Sequence, residues 1–289
     1  MKRVSILLLS VCLIFGFSSI FSDGSAKTIV MYPNIDGLEE ASFGYQMMAL
    51  ALKNSGKPYQ LQLYPLAVNT ERAFSLLSEG KLSAADNAAD SSLEEQFNMV
   101  PIPLDGGLLG WRLFIIHQNQ VEDFAKIKTL QQLQSKTAGQ GRAWPDVVIL
   151  KSAGLQVITS SKIENLLKML DRERFDFFPL GAGEIYGFLR FYKAKLPNLV
   201  IENSLVLVYP SGHFFYVNKE NTELYADIIK GLENAYSQGS FQQLMSSHPF
   251  MKEGLGKAQL ATRTAIHIKN PLNSEKFNAI DAKWFYRLE

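Results

Sequence analysis

The stretch Gly139-Gln140-Gly141-Arg142-Ala143-Trp144-Pro145-Asp146 holds the residue types best suited to grip a small anion. A glycine-rich turn runs into a helix whose first turn contains Pro145. Such a turn presents free backbone N–H groups, and Gly141 lets a ligand approach the backbone closely. Arg142 adds a cation capable of charge-assisted hydrogen bonds, Trp144 can cover the ligand with its ring, and Asp146 follows in the first helical turn. The ordinary alternative is a strand-to-helix connection with a surface arginine and a packed tryptophan. On the ligand-binding reading, Arg142→Ala weakens binding at least about tenfold.

Leu108-Leu109-Gly110-Trp111-Arg112 is the second candidate, with Arg112 as the cation and Trp111 as the cover; the alternative for Arg112 is a salt bridge. Asn34, Asp36, Asn87 and Asp90 follow expected strands and offer polar groups, although Asn and Asp serve turns in the same places. Glu184 ends the run Phe178-Pro179-Leu180-Gly181-Ala182-Gly183-Glu184. It can hold a ligand amine, or simply sit well at the positive end of a helix. Gly181, Gly183 and Gly187 imitate a dinucleotide fingerprint, but the spacing is G-x-G-x-x-x-G and the export signal described below argues against a nicotinamide cofactor.

Catalysis finds little footing. His117, His213, His248 and His267 are scattered, with neither H-E-x-x-H nor G-x-S-x-G around them. The single cysteine, Cys12, lies in the N-terminal apolar run, so the mature chain has no disulfide, thiolate metal site or cysteine nucleophile. No cofactor and no metal are expected, and the chain reads as a binder rather than an enzyme. A dehydratase-like enzyme on the same scaffold is the alternative.

These residues are positioned by alternating strand and helix patterns, which point to an α/β protein. Strands are expected over Thr28–Tyr32, Tyr59–Tyr64, Leu82–Ala85, Leu113–Ile116, Gln156–Thr159, Phe175–Phe178, Leu199–Glu202, Leu205–Tyr209 and Phe214–Val217. The first ends at Pro33. Helices are expected over Ser42–Asn54, after the caps Asn69 and Thr129, from Pro145 to Ala153, and over Glu184–Lys195. Ser161 and Glu164 form an S-x-x-E capping box for another. Leu224, Ile228, Leu232 and Tyr236 recur every four residues, giving a helix with one apolar stripe that stops at Gly239.

Residues 1–26 have the three parts of a secretory signal: basic Lys2 and Arg3, the apolar run Val4–Phe21, and small residues up to Ala26. Cleavage is expected before Lys27, which puts the mature chain outside the cytoplasm, with a periplasm as the expected compartment; the alternative is an uncleaved membrane anchor. With Lys2, Arg3 and Asp23 removed the remaining chain is neutral, which argues against a nucleic-acid partner. No second apolar run is long enough to span a bilayer.

Three stretches in order resemble the periplasmic solute-binding proteins of family 3, the polar amino-acid type. They are KIKTLQQLQSKTAGQG (126–141), KIENLLKMLDRERFDFFP (162–179) and FFYVNKENTELYADIIKGLENAYSQGSFQQLMSSH (214–248). The resemblance implies a two-lobed periplasmic binding protein fold of type II with a discontinuous lobe 1. Lobe 1 would span 27–115 and 209–289, and lobe 2 would span 116–208. It also implies a small polar ligand, amino-acid-like or anionic, in the cleft, and a monomer that hands this ligand to an ABC-type permease; the alternative partner is a membrane receptor that reads occupancy. Such proteins usually carry a carboxylate-gripping arginine after the third strand, where this chain has Ala89-Asp90-Ser91-Ser92-Leu93-Glu94-Glu95-Gln96 and no arginine. The resemblance leaves Arg112 and Arg142 as substitutes and Glu184 as the acid for a ligand amine.

Overall fold

Val30 and Tyr32 point inward from β1 (Thr28–Ile35), which pairs in parallel with β2 (Tyr59–Val68). The computed structural model describes residues 27–35, 37–142 and 144–287; residues 1–26, where the signal is expected, Asp36, Ala143 and residues 288–289 lie outside it. Pro33 does not end β1. The register slips between Tyr32 and Asn34, opposite the stretch of β2 that holds Pro65, so both prolines sit in one irregularity where no ladder N–H is needed.

Lobe 1 continues with α1 (Phe43–Asn54), α2 (Thr70–Ser78), β3 (Ala84–Ala88), α3 (Ser91–Gln96) and β4 (Phe97–Met99). The caps form as the sequence predicts. Ser42 Oγ accepts the Tyr45 N–H at 3.2 Å, and Asn69 Oδ1 accepts that of Arg72 at 2.8 Å.

Lobe 2 is built from β5 (Trp111–His117), α4 (Val121–Ala125), α5 (Leu130–Leu133), β6 (Thr137–Gly141), α6 (Asp146–Ser152) and β7 (Gln156–Ser160). After these come α7 (Ile163–Asp171), β8 (Phe177–Gly181), α8 (Ile185–Tyr192), β9 (Leu199–Ile201) and β10 (Leu205–Val208). The expected capping box of α7 is not made. Lys162 is the capping residue, and Ser160 Oγ takes the Lys162 N–H instead. Strand β5 is buried on both faces. Leu113 and Ile115 join one core with Leu166 and Phe178, while Phe114 and Ile116 join another with Phe124 and Phe177.

The chain then returns to lobe 1 as β11 (His213–Asn218), which lies antiparallel between β3 and β4. This pairing makes lobe 1 discontinuous. Next come α9 (Thr222–Ser237), α10 (Ser240–Ser247), α11 (Pro249–Ala258), β12 (Thr264–His267) and α12 (Glu275–Asn278). Helix α9 buries Leu224, Ile228 and Leu232 against α1. The contact is close enough that a Cβ on Gly231 would fall 1.9 Å from the Ala51 carbonyl.

The lobe boundaries differ from those expected. The sheet of lobe 2 takes in β5 from Trp111, and it takes in β12, which lies parallel beside β10 in the order β12-β10-β5-β8-β6-β7. Residues 209–289 therefore do not all belong to lobe 1. Arg263 explains the detour: its buried guanidinium bonds the carbonyls of Ala258, Glu202 and Leu205, pinning the chain beside β10. The tail then crosses back, and Phe277 and Trp284 enter the cores of lobe 1.

Candidate functional site

A cavity of about 490 Å³ lies between the lobes. One wall comes from lobe 1: Ile35 at the end of β1, Ser42-Phe43-Gly44 at the start of α1, Asp86 and Asn87 on β3, and His213 on β11. The facing wall is Gly181, Gly183 and Glu184 at the carboxyl end of β8 and the entry to α8. Asp105, Leu108 and Leu109 before β5, with His248, Pro249 and Met251 at the entry to α11, complete it. The position, beyond strand ends and at helix starts, is where open α/β sheets take ligands.

Its polar groups fall into three sets. Asp105 is spent on the backbone, accepting the N–H groups of Gly107 (3.0 Å), Leu109 (2.7 Å) and His213 (3.2 Å). Asp86 Oδ1 accepts the Tyr32 hydroxyl, while Oδ2 lies 3.6 Å from His213 Nδ1. Burial and the charge of Asp86 push the Tyr32 hydroxyl well above its usual range, so it stays a donor. Glu184 Oε1 accepts the Gly181 N–H at 2.8 Å and lies 3.4 Å from Arg112 Nη1.

Behind Glu184 sits a buried charge cluster. Arg112 Nη2 lies 3.1 Å from Asp146 Oδ1, and the Tyr209 hydroxyl donates to the same oxygen. The guanidinium also lies over the Tyr209 ring, 5.4 Å from its centre. Burial works against the Arg112 charge, and Asp146, Tyr209 and Glu184 more than offset it, holding its pKa above the ordinary value.

The residues singled out in the sequence are therefore dispersed. Glu184 lines the cavity. Arg112 and Asp146 are brought together, as the salt-bridge alternative for Arg112 anticipates, but neither is among the lining residues. Arg142 is exposed and lies off the cavity; its backbone N–H bonds Ser160. Trp144 stacks on Phe178 at 6.0 Å and 28° and covers Gly141, whose Cβ would fall 2.7 Å from the indole. Trp111 packs edge-on against Tyr286. Asp90 caps α3 through the Ser92 and Leu93 N–H groups, and Asn34 takes the Glu39 N–H in a turn. Asp86 and His213 are the residues that sequence reasoning missed. Their signal was faint: one acid in the strand Ala84–Ala88, and one histidine opening Phe214–Val217. Among the described residues no group of three or more His, Cys, Asp or Glu is placed to hold a metal.

No family model and no curated protein matches the chain. Solved structures do. An ancestral arginine-binding protein bound to glutamine is 14% identical, with a TM-score of 0.54, over 77% of this chain and 98% of the other. GshT of Streptococcus mutans, described in glutathione import with the cystine ABC importer TcyBC, is 12% identical with a TM-score of 0.53, over 77% and 95%. The substrate-binding protein of an amino acid ABC transporter is 11% identical with a TM-score of 0.50, over 76% and 98%. Among the described residues no helix is long and apolar enough to cross a membrane. The chain has the two-lobed α/β fold of the periplasmic solute-binding proteins.

Proposed function

We propose that this chain is a non-enzymatic solute-binding protein that closes its lobes over a small molecule and presents it to the permease of an ABC-type transporter. The observation that carries the reading is the cavity itself, which draws its walls from both lobes and from the connections between them. A ligand held there ties the two walls together, so occupancy favours the closed arrangement. The volume of about 490 Å³ suits a molecule of amino-acid to drug-fragment size. Glu184, Asp86, Asn87 and His213 supply the polar contacts, and Phe43, Leu108 and Met251 the apolar ones. The expected export signal and the ABC importers named with two of the similar structures support the transport role.

The test is a thermal-shift screen of residues 27–289 against amino acids, amines, small acids and sugars, followed by calorimetry and mass spectrometry. The expected result is a ligand with Kd at or below about 10 μM that is recovered unchanged. A compound chemically altered on incubation, or no stabilising compound in any class, would overturn the reading.

A further inference from the structure

Apart from its two histidines, the cavity wall carries charge of one sign only. Among the described lining residues the ionisable groups are Asp86, Asp105, Glu184, His213 and His248, with no lysine or arginine. The nearest buried cation, Arg112, is already held by Asp146 at 3.1 Å and Glu184 at 3.4 Å, and two carboxylates against one guanidinium leave that cluster with a negative excess. Arg142 stands exposed, off the cavity.

The other feature able to receive an anion is the first turn of α1, where backbone N–H groups and the helix dipole carry positive character. That place faces a carboxylate of the chain itself. Asp86 lies over the first turn so closely that a Cβ on Gly44 would sit 2.6 Å from Asp86 Oδ1 and 2.5 Å from the Tyr32 hydroxyl. A ligand carboxylate entering there would meet Asp86 as a like charge. A cation meets the opposite situation. Glu184 spends Oε1 on the Gly181 N–H and Arg112, which leaves Oε2 for a donor, and Asp86 faces it across the cavity. Most of the remaining wall is apolar, with Ile35, Leu38, Phe43, Leu108, Leu109 and Met251 beside the uncharged Ser42, Thr70 and Asn87.

We propose that the cavity, taken as the ligand site on the reading above, selects an organic cation, an amine or guanidine on an apolar body, held by Glu184 and Asp86 with no requirement for a ligand carboxylate. The ligand would then be an amine in its own right rather than an α-amino acid.

The experiment uses two matched triplets and one matched pair in calorimetry on residues 27–289: phenethylamine, phenylalanine and 2-phenylethanol; isopentylamine, leucine and isopentanol; agmatine with arginine. At least one amine or guanidine is expected to bind ten times more tightly than its amino acid and, in the triplets, its alcohol. Glu184→Gln should weaken that ligand at least tenfold while its melting temperature confirms folding. Asp86→Asn carries the same expectation should Glu184→Gln fail to fold. Amino acids or alcohols that match or exceed the cation in every set would overturn the charge assignment and leave the solute-binding reading standing. No binding by any member of any set would overturn the charge assignment alone, since the solute-binding reading stands or falls on the wider screen above.

Discussion

Arg112 Nη2 lies 3.1 Å from Asp146 Oδ1, joining the first strand of lobe 2 to the first turn of α6, and the two side chains are 6% and 9% exposed. A pair so buried is more informative when broken than when counted. Removing one partner strands the other charge away from water, whereas replacing both by apolar groups of similar volume is often neutral. Asp146→Ala is therefore expected to destabilise the chain by about 3–5 kcal/mol in urea denaturation. Arg112→Met combined with Asp146→Leu should recover most of that loss. A single variant within about 1 kcal/mol of wild type would show that Tyr209 and Glu184 suffice to hold Arg112.

Arg142 is expected to be a bystander. The glycine-rich turn that carries it has the composition of an anion site, yet the side chain is exposed and lies off the cavity. Arg142→Ala should leave ligand affinity within about twofold by calorimetry, because an exposed charge contributes little through solvent. A tenfold loss would return the glycine-rich turn to the binding site and remove the cavity wall from it.

The contrast shows what the sequence could carry. Period-2 and period-3.6 patterns located nearly every large element, because burial of β5 or α9 depends on side chains near in sequence. The cap at Asn69 and the stop at Gly239, whose φ is +79°, are also local. Candidate site residues chosen by the same local logic mostly turned out to serve local ends, as with Asp90 capping α3 and Trp144 covering Gly141. The site depends instead on separations no local pattern encodes. Asp86 and Glu184 come from different lobes, and His213 reaches Asp86 only because β11 inserts between β3 and β4. The tail was misplaced for the same reason: Thr264–His267 holds one buried apolar residue, too weak a signal to announce a strand of the other lobe.

That residue, Ile266, supplies a test of the crossing. It packs with Phe114, Leu205, Leu207 and Tyr209 in a core of lobe 2 and is 4% exposed. Ile266→Ala is expected to lower stability by about 2–5 kcal/mol in denaturant unfolding. Hydrogen exchange should show the loss of protection centred on β10 and β5. Exchange that changes only in β3, β4 and β11 would instead attach the tail to lobe 1.

His213 couples the cavity to pH. Burial pulls its pKa down, but the hydrogen bond to Asp86 and the charges of Asp105, Asp86 and Glu184 more than reverse this, so the folded chain holds the proton more tightly than the unfolded one. The stabilisation from protonated His213 is thus complete below its ordinary value of about 6.5 and is lost as pH rises through the higher folded value. The denaturation midpoint of wild type should exceed that of His213→Gln most near about pH 6, and the gap should narrow toward about pH 8. With 40% of the side chain exposed, added salt should also shrink the gap. The same proton bears on the ligand. Protonated His213 neutralises Asp86 3.6 Å away, so a bound amine competes with it for that carboxylate. Amine affinity should therefore rise between about pH 6 and pH 8, while a neutral alcohol should show no such trend. A gap and an affinity that both stay flat across this range would mean that His213 keeps one protonation state and that Asp86 is not the carboxylate the two cations share.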